Sequence, residues 1–135
     1  MVDITASELQ KNFALFDNWE DRYSYLIDLG RNLPHMDESL KTEENRVHGC
    51  VSKVWLVSGF NDGRLDFIAD SDTQLVRGLI AVLMMAYKGK TPVEVGEVDV
   101  EGLFRRLGLE QHLSPNRRSG FFSMVEAIRK SAEQA

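Results

Sequence analysis

The chain has 135 residues, of which 43% are apolar and 27% charged, with a formal net charge of -5. This is the length of one compact domain and the composition of a water-soluble one, which argues against a disordered tail and against two full cores. The acidic balance argues against a binder of nucleic-acid backbones, which gains affinity from a basic patch through counterion release.

The opening Met1-Val2-Asp3-Ile4-Thr5 has no basic stretch followed by an apolar one, so no signal peptide is expected. Leu9, Phe13 and Phe16 recur at helical spacing and predict a first helix over 7–16. Asn18 is an N-cap candidate for a second helix, with Asp21 three residues on. Trp19, Tyr23, Leu26 and Ile27 share one face of that helix, and Gly30 and Pro34 mark its end. Residues 36–46 are polar and irregular and read as a loop. The β-branched and aromatic run 51–58 predicts a strand, Asn61-Asp62-Gly63 a tight hairpin turn, and the alternating 64–69 a second strand.

Asp70-Ser71-Asp72 is placed to cap the longest helix, 73–88, whose apolar residues cover more than one face, as in a buried central helix. Gly89 stops it, and Pro92 follows. A short helix over 100–107 ends at Gly108, and Ser114-Pro115 opens a last segment that is helical from about Arg118. The longest apolar stretch, 79–87, is too short to span a bilayer, which excludes a membrane protein and points to the cytoplasm. The order predicts an α+β fold in one domain over 1–135. A small antiparallel sheet is covered by helices, with a third strand near 45–48 and Cys50 at a strand-joining turn.

Cys50 is the sole cysteine, so neither an internal disulfide nor an intramolecular dithiol cycle is available. Gly49 before it permits a backbone conformation that a Cβ would forbid. Arg46, His48 and Lys53 would each favour a thiolate if they approach it. The bland alternative is a buried structural cysteine. His48 and Cys50 form half of a zinc motif, but the other histidines, His35 and His112, supply no second paired site, so no metal is expected. Cys50 with a histidine also has the elements of a hydrolase nucleophile–base pair. Arg117 and Arg118, at a loop-to-helix junction, are either ordinary surface cations or partners for a sulfur anion or a carboxylate. The charged residues of the last helix read as a solvated face, and Trp55 as a sheet-packing residue.

Several blocks of the sequence then fall into a familiar order. They are Asn18-Trp19-Glu20 with Tyr23 and Tyr25, Leu29-Gly30, Leu33-Pro34, Val47-His48-Gly49-Cys50-Val51-Ser52-Lys53-Val54-Trp55-Leu56, Asp70-Ser71-Asp72, Val76-Arg77-Gly78-Leu79-Ile80-Ala81, and Gln111-His112-Leu113-Ser114-Pro115-Asn116-Arg117. With them the chain resembles the SufE family and its CsdE-type relatives over almost its whole length.

The resemblance implies an α+β fold like that of IscU-type scaffolds. It implies a sulfur carrier rather than an enzyme, which takes persulfide sulfur on Cys50 from a SufS- or CsdA-type cysteine desulfurase and stimulates it. It then passes the sulfur towards iron–sulfur assembly, for example to a SufB-type scaffold. The carrier needs no cofactor of its own, since the pyridoxal phosphate belongs to the desulfurase. The arginine of the family's Ser-Pro-x-Arg block falls on Arg117. Gly49 and His48 are candidate support residues beside it, and His48 is expected to be inessential, because some relatives carry a different polar residue there. The resemblance leaves both a monomer and a homodimer open. Two other readings of Cys50 remain, an allosteric activator of a desulfurase and a thiol hydrolase.

Overall fold

The computed structural model describes residues 6–49 and 52–134. Two helices come first, α1 (Ala6–Ala14) and α2 (Trp19–Arg31). Leu9 and Phe13 of α1 are buried, as their spacing requires. Asn18 caps α2 by accepting the Asp21 N–H, which satisfies one of the donors left free at a helix start. Gly30 does not terminate α2. It lies within the last turn, and Asn32 is the C-cap. The 36–46 stretch is not plain loop but holds two 3-10 turns, Glu38–Leu40 and Glu43–Asn45.

Strands β1 (Val54–Asn61) and β2 (Arg64–Ser71) pair antiparallel, with Val54 opposite Ser71 and Asn61 opposite Arg64. Asp62 and Gly63 both have positive φ, +53° and +75°. That is the mirror-image turn whose twist suits a two-residue hairpin. Leu65, Phe67 and Ala69 face the core, as the alternation predicts.

The expected third strand is not formed, and among the described residues the sheet has two strands. Segment 45–48 contributes one antiparallel bridge, Arg46 to Trp55, with the Val47 N–H donating to the Val54 carbonyl at 2.9 Å. The 3-10 turn Glu43–Asn45 ends immediately before the bridge. Gly49, at φ +90°, leaves extended geometry soon after it. A ladder cannot grow in either direction from there. β1 also starts later than its sequence suggests. The Lys53 N–H and carbonyl are both taken by Asp72, its side chain and its N–H respectively, so the ladder begins at Val54.

Helix α3 (Gln74–Tyr87) is the centre of the molecule, with every residue from Leu75 to Tyr87 except Arg77 and Met85 buried, chiefly against α2 and β2. Burial of so many aliphatic side chains, each worth roughly 1.5–3 kcal/mol, makes it the main source of hydrophobic stabilisation. The Asp70-Ser71-Asp72 run does not cap it. Thr73 is the N-cap position and makes no side-chain capping bond, while Asp70 and Ser71 belong to β2.

Four helices follow: α4 (Pro92–Glu97), α5 (Val100–Arg106), α6 (Leu109–His112) and α7 (Pro115–Glu133). Pro92 opens α4 rather than merely following α3, and a reciprocal pair of bonds between Thr91 and Glu94 caps it. The Glu94 carboxyl is held below its ordinary value by the Thr91 N–H it accepts. α7 starts at Pro115, three residues earlier than its sequence suggests, with the Ser114 hydroxyl accepting the Arg117 N–H. It packs against α4, α3 and β1. Among the described residues, no helix is long and apolar enough to cross a membrane.

Candidate functional site

Of the chemistry-bearing residues of the sequence, Arg46, His48 and Lys53 lie along the connection between the Arg46 bridge and β1. Cys50 and Val51 lie outside the described residues, so what is described is the frame on either side of them.

The incoming side begins at Lys41. Its ammonium contacts the Asp70 carboxylate at 3.1 Å and Glu38 at 3.0 Å, and lies 5.6 Å from the Trp55 ring centre. These acidic partners raise the Lys41 pKa. Arg77 of α3 meets the same Asp70 at 3.0 Å. Asp70, on the outer face of β2, therefore ties the 38–46 segment to α3 by charge. Arg46 pairs loosely with Glu43 at 3.9 Å, and its Nε is buried with no hydrogen-bond partner among the described residues. His48 is exposed, with its Nε2 3.6 Å from the same Glu43 carboxylate.

Gly49 is exposed at φ +90°, in the left-handed region where an L side chain is strained. A Cβ placed on it would lie 2.6 Å from the Ser123 Oγ of α7. The backbone thus favours glycine there, and the Ser123 hydroxyl would have to turn aside to admit a side chain.

On the outgoing side, the Ser52 hydroxyl accepts a bond from Thr73 Oγ1 at 2.8 Å, and the Lys53 N–H donates to Asp72 Oδ1 at 3.1 Å. The Asp70-Ser71-Asp72 run, read in the sequence as a helix cap, instead forms with Thr73 the clamp on both sides of the connection. This role was missed because it depends on a strand pairing, which brings residues 70–73 beside 52–55.

α7 forms the opposite wall. Ser123, Ala127 and Ser131 recur every four residues and so share one helix face. Ser58 Oγ of β1 donates to Ser131 Oγ at 2.8 Å, and a Cβ on Gly49 would meet Ser123 Oγ. Small side chains let the helix approach the sheet edge closely. Between this face and residues 44–48 runs a groove of about 340 Å³, lined by Arg46, His48, Leu56, Ser123, Glu126 and Lys130 among others. This stripe was legible in the sequence as a period of four small residues. The charged residues beside it drew the reading towards a solvated face.

Arg117 is half-buried in the first turn of α7, and its guanidinium makes no hydrogen bond or ion pair among the described residues. His112 stacks on Trp19, with ring centres 4.4 Å apart and planes at 9°. Among the described residues no cluster of three His, Cys, Asp or Glu side chains could hold a metal ion.

Comparison with known proteins agrees with the resemblance. The sequence model of the SufE family, described as an Fe–S metabolism associated domain, matches residues 7–132. An uncharacterised SufE-like protein of Rhizobium meliloti (strain 1021) is 44% identical over 126 residues, covering 90% of this chain and 90% of that protein. A second, from Rhizobium etli, is 43% identical over 126 residues, covering 90% of this chain and 85% of its own length. A solution structure of a hypothetical protein from Thermus thermophilus superposes with a TM-score of 0.79 at 21% identity, over 100% of this chain and 98% of that one, which shows a shared fold. With helices around an antiparallel hairpin and the family pattern running from residue 7 to residue 132, this chain belongs to the SufE family of Fe–S metabolism associated domains.

Proposed function

We propose that the chain is a cytoplasmic sulfur acceptor that takes sulfane sulfur onto Cys50 from a SufS- or CsdA-type cysteine desulfurase. It passes that sulfur on to iron–sulfur assembly, with a SufB-type scaffold as receiver. The observation that carries this reading is the family match over residues 7–132, in a chain whose sole thiol is Cys50. The frame around the thiol supports it. Gly49 and Ser52 flank Cys50 in the connection that leads into β1, with the cations of Arg46 and Lys53 and the imidazole of His48 close in sequence.

The chemistry is an exchange at sulfur. The Cys50 thiolate attacks the outer sulfur of the donor's cysteine persulfide. A new S–S bond forms, the donor's S–S bond breaks, and the donor cysteine leaves as a thiolate. Nothing is oxidised overall, and no resolving cysteine is needed, because the next acceptor supplies its own thiol. Removing the donor's sulfur frees it for another cycle, which stimulates the desulfurase. Pyridoxal phosphate and carbon–sulfur cleavage belong to the partner. Arg117 serves as a cation for the Cys50 segment or its persulfide, with His48 and Gly49 in support.

The test is intact-protein mass spectrometry after mixing the chain with a SufS-type desulfurase, pyridoxal phosphate and cysteine. A gain of one sulfur atom that requires the desulfurase, and is lost on adding reductant, is expected. No gain with an active desulfurase of either type would sink the reading. Stimulation by Cys50→Ser would then favour a binding-only activator.

A further inference from the structure

We infer that the corner between α5, α6 and α7 is a binding site for a free α-amino acid with a small apolar side chain. A cavity of about 210 Å³ opens there, lined by Glu101, Phe104 and Arg105 of α5, Glu110 of α6, and Arg118 and Phe122 of α7. Pockets for drug-sized ligands hold about 300–1,000 Å³, so this one admits only a smaller molecule. It shares no lining residue with the groove beside residues 44–48. Such a site stands whether or not the chain accepts sulfur.

The floor of the cavity is aromatic. Phe104 is buried, with its ring centre 4.9 Å from that of Phe121 and 5.1 Å from that of Phe122. Phe121 and Phe122 meet edge to face at 5.2 Å. The three rings brace one another, and Phe122 keeps part of its surface exposed. A rigid aromatic surface of this kind takes an apolar side chain and offers nothing to a polar one.

Around that floor stand charges of both signs. Arg118 lies one turn before Phe122, on the same face of α7. Its Nε is buried, and no hydrogen bond or ion pair among the described residues reaches its guanidinium. A buried N–H without an acceptor is destabilising, and a carboxylate oxygen would supply one. The Arg105 guanidinium is exposed and likewise unpaired among the described residues, so two guanidinium groups are free for one carboxylate.

The two glutamates differ. Glu101 already accepts a bond from Arg129 Nη2 at 3.1 Å, while Glu110 has no partner among the described residues. Glu110 is therefore the group free to take an ammonium. Two cations and one free carboxylate around an apolar floor match the carboxylate, ammonium and side chain of an α-amino acid. A dicarboxylate would bring its second charge against Glu101 and Glu110.

The experiment is an amide-resolved NMR titration of the full chain with L-valine as the probe. Saturable shifts around Arg105, Glu110 and Phe122 are expected. Isobutylamine, which lacks the carboxylate, and isovalerate, which lacks the ammonium, should each bind more weakly by about tenfold, the loss of one hydrogen-bonded charge. Arg118→Gln should weaken L-valine by a similar factor, and Arg105→Gln, at an exposed position, is the second variant should Arg118→Gln disturb α7. No saturable shift with L-valine, or an affinity that a folded arginine variant leaves unchanged, overturns the site. Isovalerate or isobutylamine binding as tightly as L-valine overturns the amino-acid assignment.

Discussion

Gly30 of α2 and Gly78 of α3 lie face to face, so close that a Cβ on Gly30 would fall 2.6 Å from the Gly78 backbone nitrogen. A Cβ on Gly78 would in turn collide with the Leu26 carbonyl oxygen. The two helices thus touch backbone to backbone, and both contacts are with main-chain atoms that cannot rotate away. Gly78→Ala is expected to lower unfolding free energy by roughly 3 kcal/mol, at the upper end for overpacking, despite the better helix propensity of alanine. Urea denaturation measures it, and a gain in stability would show that the helices can separate freely.

Cys50→Ser is expected to keep the circular-dichroism spectrum and unfolding midpoint of the wild type while accepting no sulfur. It should also lose stimulation of the desulfurase. A collapsed spectrum would favour a structural cysteine instead.

Arg117 makes no ion pair among the described residues, so its removal should be nearly silent for folding. Arg117→Ala is expected to change stability by less than about 0.5 kcal/mol. It should slow sulfur uptake roughly tenfold, equivalent to about 1.4 kcal/mol of barrier. A normal uptake rate with normal partner affinity would remove Arg117 from the mechanism.

Asp70 is held between Lys41 and Arg77, with its side chain 16% exposed. Asp70→Asn leaves two cations facing a neutral amide, at a cost of about 1–2 kcal/mol, between the values for exposed and for buried pairs. Hydrogen exchange should rise over 38–46 more than over α7. Uniform loss across the chain would show that Asp70 does not act on that segment.

The Tyr87 hydroxyl is buried beside the Arg129 guanidinium, and among the described residues no hydrogen bond of good geometry reaches it. Burial raises its pKa, although the Arg129 guanidinium works the other way. The folded state then holds the phenolic proton above the unfolded pKa near 10, so stability is full below about pH 10 and falls as pH rises through the folded value. Tyr87→Phe is expected to be neutral or slightly stabilising at pH 7 and to flatten the alkaline decline. Unfolding midpoints at pH 7 and above pH 10 test this, and a marked loss at pH 7 would reveal a bond to the hydroxyl.

Elements set by local chemistry were legible in the sequence. Asn61-Asp62-Gly63 specifies its turn through positive φ, and Asn18 and Ser114 cap their helices with their own side chains. Features that depend on partners distant in sequence were not. Gly30 reads as a helix stop, because only its contact with Gly78 shows that it is a packing residue. Asp70 and Asp72 read as caps, because their true partners Lys41, Arg77 and Lys53 come together only when the hairpin closes. Gly49 before Cys50 announced a special backbone, and φ +90° bears that out. The small-residue stripe of Ser123, Ala127 and Ser131 shows in the sequence as a period, but only the fold shows that it faces residues 44–48.

Val47 and Lys53 are fastened through their backbone N–H groups by bonds of 2.9 and 3.1 Å, and Ser52 through its hydroxyl by one of 2.8 Å. The three partners, Val54, Asp72 and Thr73, all belong to the β-hairpin or to its junction with α3. The chain is therefore anchored to one body before Cys50 and again after it. A substitution that shifts the hairpin moves both anchors together, so it changes the setting of that stretch without lengthening it.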